Sequence, residues 1–178
     1  MGTDTHTVGC GAPWEIARAQ ALEILAPHCE RIQVAGSIRR GKKTPKDVEI
    51  VAIPKRMRAD LFDQETVTDP GFCEAVNQWT KIKGEPTGKY TQRLLPNGVK
   101  LDLFLATENN WGLILAIRTG PASYSKDVLV KRVHEMGYQM NAGYLWQDGQ
   151  ADPVPVREET DLYDLLCLRW RDPEERGA

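Results

Sequence analysis

No apolar run in this 178-residue chain approaches the roughly 18–20 residues that a membrane-crossing helix needs. The first residues, Met1 to Gly11, are polar and lack the apolar stretch of a signal peptide. Cysteine is scarce. Cys10, Cys29, Cys73 and Cys167 are scattered without C-x-x-C spacing, which argues against a zinc site or a disulfide framework and for reduced thiols in a cytoplasmic protein. The three histidines, His6, His28 and His134, share no metal-ligand spacing, and His134 reads as a cap near a helix C-terminus. Internal repeats and low-complexity tracts are missing. So is a positive balance: 23 Lys and Arg against 25 Asp and Glu leave a net charge of -2, which excludes strong bulk attraction to a polyanion.

The distribution of charge says more than its sum. Arg39, Arg40, Lys42, Lys43, Lys46, Lys55, Arg56 and Arg58 lie close together, while acid gathers from Asp148 to Glu175. That pattern suits local phosphate contact. The length fits one domain or two small units sharing an interface, and 41 % hydrophobic residues supply a core. The five tryptophans are assigned mainly to that core.

Pro13 followed by Ile16, Ala19, Leu22 and Leu25 predicts a first helix. Arg31–Ala35 reads as a short strand, and Asp47–Ile53 alternates as a half-buried strand does. A helix follows over Asp69–Trp79. Lys89–Leu95 and Val99–Ala106 read as strands joined by Asn97-Gly98, a strong hairpin signal because both residues tolerate positive φ. Trp111–Ile117 reads as helix, Thr119-Gly120-Pro121 as a stop and restart, and the next helix runs to Gly137. Short strands near Tyr138–Met140 and Tyr144–Trp146 and a helix over Asp161–Leu168 complete the chain. The class is α+β: a mixed sheet with flanking helices over residues 1–108, then a mostly helical unit with short strands over 109–178.

Asp47 and Glu49 stand two apart on a strand, so period two puts both on one face. Asp102 stands in the hairpin strand between Leu101 and Leu103. If the two strands are neighbours, three carboxylates meet, and hard divalent cations such as Mg²⁺ take oxygen ligands of this kind. Gly36-Ser37 ends the preceding strand, before Ile38-Arg39-Arg40-Gly41. Such a turn brings backbone N–H groups, a hydroxyl and an arginine fork to a triphosphate. The two parts make one chemistry: one holds phosphates, the other holds the metals that bridge them.

These residues resemble a known pattern. G-S-I-R-R-G-K-K-T-P-K-D-V-E, Gly36 to Glu49, resembles the nucleotidyltransferase signature of DNA polymerase beta and the family X polymerases. K-L-D-L-F-L, Lys100 to Leu105, is similar to the strand carrying that family's third aspartate. R-T-G-P, Arg118 to Pro121, resembles the start of its thumb, and Asp161 to Arg176 its C-terminus. The likeness runs from about Pro13 to Arg176. It implies a nucleotidyltransferase palm followed by a thumb, and template-directed addition of nucleotides to a primer 3′-hydroxyl with two Mg²⁺ ions, or Mn²⁺. Asp47, Glu49 and Asp102 would hold the metals, with Asp102 near the 3′-hydroxyl. Gly36, Ser37 and Arg40 would hold the β and γ phosphates. Thr119 and Gly120 would line the sugar side, with Tyr124, Ser125 and Lys126 against the nucleotide, and Lys100 and Lys131 toward DNA.

Departures from the pattern are equally specific. Glu49 stands where the family usually has Asp. Ile117-Arg118 replaces an aromatic pair that helps exclude the ribose 2′-hydroxyl, which implies weak ribonucleotide discrimination. Ser125 replaces an Asn, Ala122 a polar residue, and Phe104 a basic one near the catalytic aspartate. The stretch before Gly36 has no room for the family's N-terminal lyase and helix-hairpin-helix modules, so weak, salt-sensitive DNA binding and low processivity follow. The expected partners are a primer-template, a nucleoside triphosphate and a protein that supplies further DNA grip; the chain is expected to be a monomer with no membrane contact. The competing readings are a template-independent, RNA-, protein- or small-molecule-modifying transferase, and a non-catalytic, antitoxin-like binding module.

Overall fold

The computed structural model describes residues 11–58 and 66–177. His6 and Cys10, with the polar segment that holds them, lie outside the described residues. Pro13 opens α1, Pro13–Leu25, at the position where a missing N–H costs nothing, and α1 buries Ala17, Ala21 and Leu25 at helical spacing. β1, Cys29–Val34, leads through the single turn α2, Gly36–Arg39, into β2, Asp47–Pro54. A ribbon of β3, Arg56–Arg58, and β4, Thr66–Thr68, stands apart from the main sheet. α3, Pro70–Asn77, begins at Asp69, whose side chain accepts from Gly71 N–H. β5, Thr80–Lys83, β6, Tyr90–Leu94, and β7, Lys100–Leu105, complete a five-stranded sheet of order β1-β2-β7-β6-β5. β2 and β7 run parallel; the other neighbours are antiparallel.

Alternation gives the sheet two different faces. Val48, Ile50, Leu101 and Leu103 pack beneath α1 and α3, against Leu25, Phe72 and Val76. The other face is divided along its length. Val51, Ile53 and Phe104 are covered by Trp111 and Leu115. The half nearer the start of β2 and β7 carries Asp47, Glu49 and Asp102, none of which is buried in that cluster.

A 3₁₀ turn at Glu108–Asn110 enters α4, Trp111–Thr119. The next helical stretch, 122–135, is α5, Ala122–Tyr124, a π-helical segment, Ser125–Val130, and α6, Lys131–Glu135. A hairpin of β8, Tyr138–Asn141, and β9, Tyr144–Gln147, precedes α7, Glu159–Leu165. These elements enclose a second core built on Leu113, Ala116, Leu129, Val133, Leu145 and Leu162. α4 therefore serves both cores, Trp111 and Leu115 facing the sheet and Leu113 and Ala116 facing the helices. The class is α+β, a mixed sheet followed by a helical C-terminal region. No helix among the described residues is long and apolar enough to cross a membrane.

The β6–β7 turn differs from the expected form. Gly98 alone takes positive φ, at 80°, and its N–H donates to Leu95 O at 2.9 Å, so Pro96 and Asn97 occupy the centre of a four-residue turn. The Asn97 side chain accepts from Val99 N–H and donates to Pro13 O at 2.7 Å, which pins α1 to the sheet.

Gly112 sits where α4 crosses the segment before α7. Its N–H donates to Val156 O at 2.9 Å, and a Cβ there would lie 2.1 Å from the Glu158 carbonyl oxygen. Gly112→Ala is expected to destabilise the fold by about 2–3 kcal/mol through backbone overpacking, read as a lower midpoint of urea unfolding with an unchanged slope.

Candidate active site

The parallel register of β2 and β7 sets Glu49 directly opposite Asp102, and Asp47 opposite Lys100. Neighbouring strands lie about 4.8 Å apart, so the three carboxylates share one patch of the sheet. Burial, then the charges of Asp47 and Asp102, push the Glu49 carboxyl up to about 7, while Arg40 and Arg118 oppose the rise. Asp102 is oriented from β6. Tyr90 Oη donates to Asp102 Oδ1 at 2.5 Å and Gln92 Nε2 donates to the same oxygen at 2.8 Å. The Tyr90 hydroxyl is itself held protonated, its pKa pushed to about 12 by burial and by Asp102.

The patch is open rather than closed around a point. Among the described residues no three acidic, His or Cys side chains are gathered closely enough to enclose an ion. Glu49 leans toward the turn: a Cβ on Gly36 would fall 1.6 Å from Glu49 Oε2, and Gly36 has φ of 60°. Glycine is required there twice, for the left-handed backbone and for the space that Glu49 fills. The donor set still suits a hard divalent cation. Three oxygen-only side chains share one face, and burial followed by the two neighbouring carboxylates raises the Glu49 pKa.

The Gly36–Arg40 turn is wired to the far end of the chain. Arg39 Nη1 donates to Thr119 Oγ1 at 2.6 Å and Nη2 pairs with Glu159 Oε2 at 2.5 Å. The other Glu159 oxygen takes Arg176 Nη1 at 2.6 Å, with Arg176 wholly buried between Tyr163 and Trp170. Arg40 Nη1 donates to Thr119 O at 2.5 Å. A second tie joins β1 to the same region: Arg31 lies over the Trp111 ring at 4.4 Å and meets both Glu158 oxygens at 2.7 and 3.0 Å.

Everything these arginines grip beyond Trp111 lies in one C-terminal stretch, and residues 114–177 match the family model of the DNA polymerase beta thumb. This stretch is similar to a DNA polymerase beta thumb. Among curated proteins none matches the chain. A mixed five-stranded sheet followed by this helical region is consistent with a palm followed by a thumb.

Several thumb residues sit differently from the sequence expectation. Thr119 is fully buried with its hydroxyl taken by Arg39. Tyr124 is buried, its hydroxyl 2.9 Å from that of Tyr163, and Ser125 is buried with Oγ donating to Ile117 O at 2.8 Å. Tyr124 and Ser125 therefore turn their hydroxyls to partners within the thumb, and Thr119 turns its own to Arg39, because a hydroxyl can be buried when a local partner satisfies it. Gly120 permits this: a Cβ there would lie 2.9 Å from both Ser125 Oγ and the Tyr124 ring. Lys126 and Lys131 are exposed on the helical stretch, Lys131 3.9 Å from Glu135, and Lys100 is exposed at the start of β7. Ser37 and Arg40 are half-buried beside the carboxylates.

Sequence reasoning did not single out Tyr90, Gln92, Glu159 or Arg176, and it marked Arg118 only as half of the Ile117-Arg118 replacement. A signal existed for the first two: Tyr-x-Gln precedes the hairpin with the same period as Asp-x-Phe after it, so both pairs face one way. Arg118 lies 4.1 Å over the Phe104 ring and presents its charge to Glu49 and Tyr90. Glu159 and Arg176 carried no signal, since only the fold brings them to Arg39.

The Glu49 proton has a consequence for stability. Its folded value of about 7 exceeds the ordinary 4.5. The native state therefore holds a proton that the unfolded chain has released between those values. The stabilisation is complete below pH 4.5 and is lost as pH rises through about 7. Glu49→Gln is expected to exceed the parent in stability by about 1–2 kcal/mol at pH 8 without divalent cation, with the gap closing at pH 5, measured by thermal unfolding at both pH values.

Proposed function

We propose that this chain is a DNA-directed DNA polymerase of the family X type, adding nucleotides to a primer 3′-hydroxyl in short-gap or repair-type synthesis with low processivity. The observation that carries the reading is the pairing of Glu49 with Asp102 across parallel β2 and β7, with Asp47 on the same face, beside a glycine turn that is wired into a DNA polymerase beta thumb.

Asp47, Glu49 and Asp102 would hold two Mg²⁺ ions, or Mn²⁺, which would activate the attacking hydroxyl and neutralise the triphosphate. Asp102 is the proton acceptor nearest the primer terminus. Tyr90 and Gln92 both donate to Oδ1, which leaves Oδ2 for that role in this reading. Ser37 and the N–H groups of the Gly36 turn bind phosphate oxygens, and Arg40 adds a positive charge beside them. Lys100 lies against the primer backbone, and Lys126 and Lys131 extend the contact along the thumb. Catalysis then rests on in-line positioning and charge stabilisation. With a charge of -2 the chain binds DNA weakly in this reading, through local phosphate contacts that salt weakens, and a protein partner supplies further grip in the cell.

The test is extension of a labelled primer on a template with Mg²⁺ or Mn²⁺. Template-directed extension is expected, abolished by Asp102→Ala and by EDTA, while Lys126→Ala weakens DNA binding by only about two- to fivefold. Extension without template replaces this reading with a tailing transferase. No extension with either metal, alongside retained nucleotide binding, replaces it with transfer to another acceptor or a binding module.

A further inference from the structure

Between palm and thumb lies a cavity of about 680 Å³, a size that fits small organic ligands. It is separate from the carboxylate patch: none of Asp47, Glu49 and Asp102 lines it. Its walls are aromatic and aliphatic. Tyr90 and Phe104 stack at 5.0 Å on the palm side, with Ile53 beside them, and Ile114 and Tyr144 close it from the thumb side. The charges around it are Arg56, Lys89 and Arg118 against Glu30 and Glu108. Glu108 stands 3.9 Å from Arg157, outside the cavity, so the positive side prevails. The thumb wall hangs on few polar ties: Lys89 Nζ to Ala142 O at 2.8 Å, Asn110 Nδ2 to Gly143 O at 2.9 Å, and Tyr144 Oη with Thr107 Oγ1 at 3.2 Å. They converge on a turn in which Ala142 adopts φ of 54°, a conformation that a residue with a Cβ takes at a cost.

We propose that this cavity is a second ligand site, taking a flat aromatic ring that carries one anionic group, of which a nucleoside monophosphate is the matching class. The ring packs against Tyr90 and the aliphatic side chains of Ile53 and Ile114, the Phe104 ring being covered by Tyr90 and Arg118. The anion meets Lys89 and Arg118. Tyr90 makes the site consequential, because the side chain that forms the wall also holds Asp102. A ligand here also touches both palm and thumb, so binding stabilises one relative position of the two. The proposal does not depend on the polymerase reading, since it needs only the cavity and its rim.

The experiment is calorimetric titration of the whole chain with adenosine monophosphate in EDTA, where the uncompensated carboxylate patch repels phosphate. One-to-one binding is expected, with Kd on the order of 0.1–1 mM for a ligand of this size. Ile114→Trp, which fills the cavity, is expected to weaken it at least about tenfold, and Lys89→Met about three- to tenfold. Tyr144→Ala removes a wall at a partly exposed position and gives the same loss if Ile114→Trp does not fold. Absence of binding by the parent chain overturns the proposal. So does binding that both cavity variants leave unchanged but Ser37→Ala weakens, because the nucleotide then sits on the Gly36 turn.

Discussion

Three carboxylates on one patch of a sheet repel one another, and much of the surrounding structure is placed by that repulsion. The parallel register of β2 and β7 leaves Glu49 and Asp102 no choice but to be neighbours. Two donors fix Asp102 from the adjacent strand, Arg40 and Arg118 stand near Glu49, and Glu49 itself keeps a proton near neutrality. Each is a different answer to the same electrostatic problem: hydrogen bonds to the charged form, opposite charge, or neutralisation. The glycine turn beside the patch leaves the space into which the Glu49 carboxyl leans.

The second organising feature is an ion-pair chain. Glu159 lies between Arg39 and Arg176, one from the signature turn and one from the C-terminal segment. All three are buried or nearly so, where breaking one link leaves an uncompensated charge and is costly. The turn expected to grip phosphate is thus set by the thumb as much as by the palm. That explains why Thr119, expected at the nucleotide's sugar side, is instead a buried link in this chain.

Much of this was legible in the sequence, for identifiable reasons. β2 and β7 were legible from alternation and β6 from the hairpin signal after it, whereas the stripe Ile16, Ala19, Leu22 and Leu25 located α1 but not its buried face, which is Ala17, Ala21 and Leu25. β5 was not foreseen: Thr80–Lys83 is exposed at every position and lacks an apolar face. α2 reads as a turn because four residues carry no period. The three carboxylates were legible because they sit on strands whose faces alternation defines. Tyr124 and Ser125 were assigned to the nucleotide from resemblance, whereas their hydroxyls find partners inside the thumb, a pairing that depends on tertiary neighbours alone. Arg39 and Arg40 looked alike in sequence; the fold gives one to Glu159 and the other to a main-chain carbonyl.

The parallel pairing of β2 and β7 also bears on how the molecule comes to be. Glu49 and Asp102 are 53 positions apart, the difference of their numbers, and α3 and the strands β3, β4, β5 and β6 intervene. Parallel pairing cannot be closed by a tight turn, and contacts distant in sequence form after local ones because loop-closure entropy must be overcome first. The β6–β7 hairpin can assemble early; the carboxylate patch exists only once β2 has docked beside it. On a ribosome, no chain shorter than β7 can present all three carboxylates, so a nascent chain acquires charge-dense chemistry only when its framework is already in place.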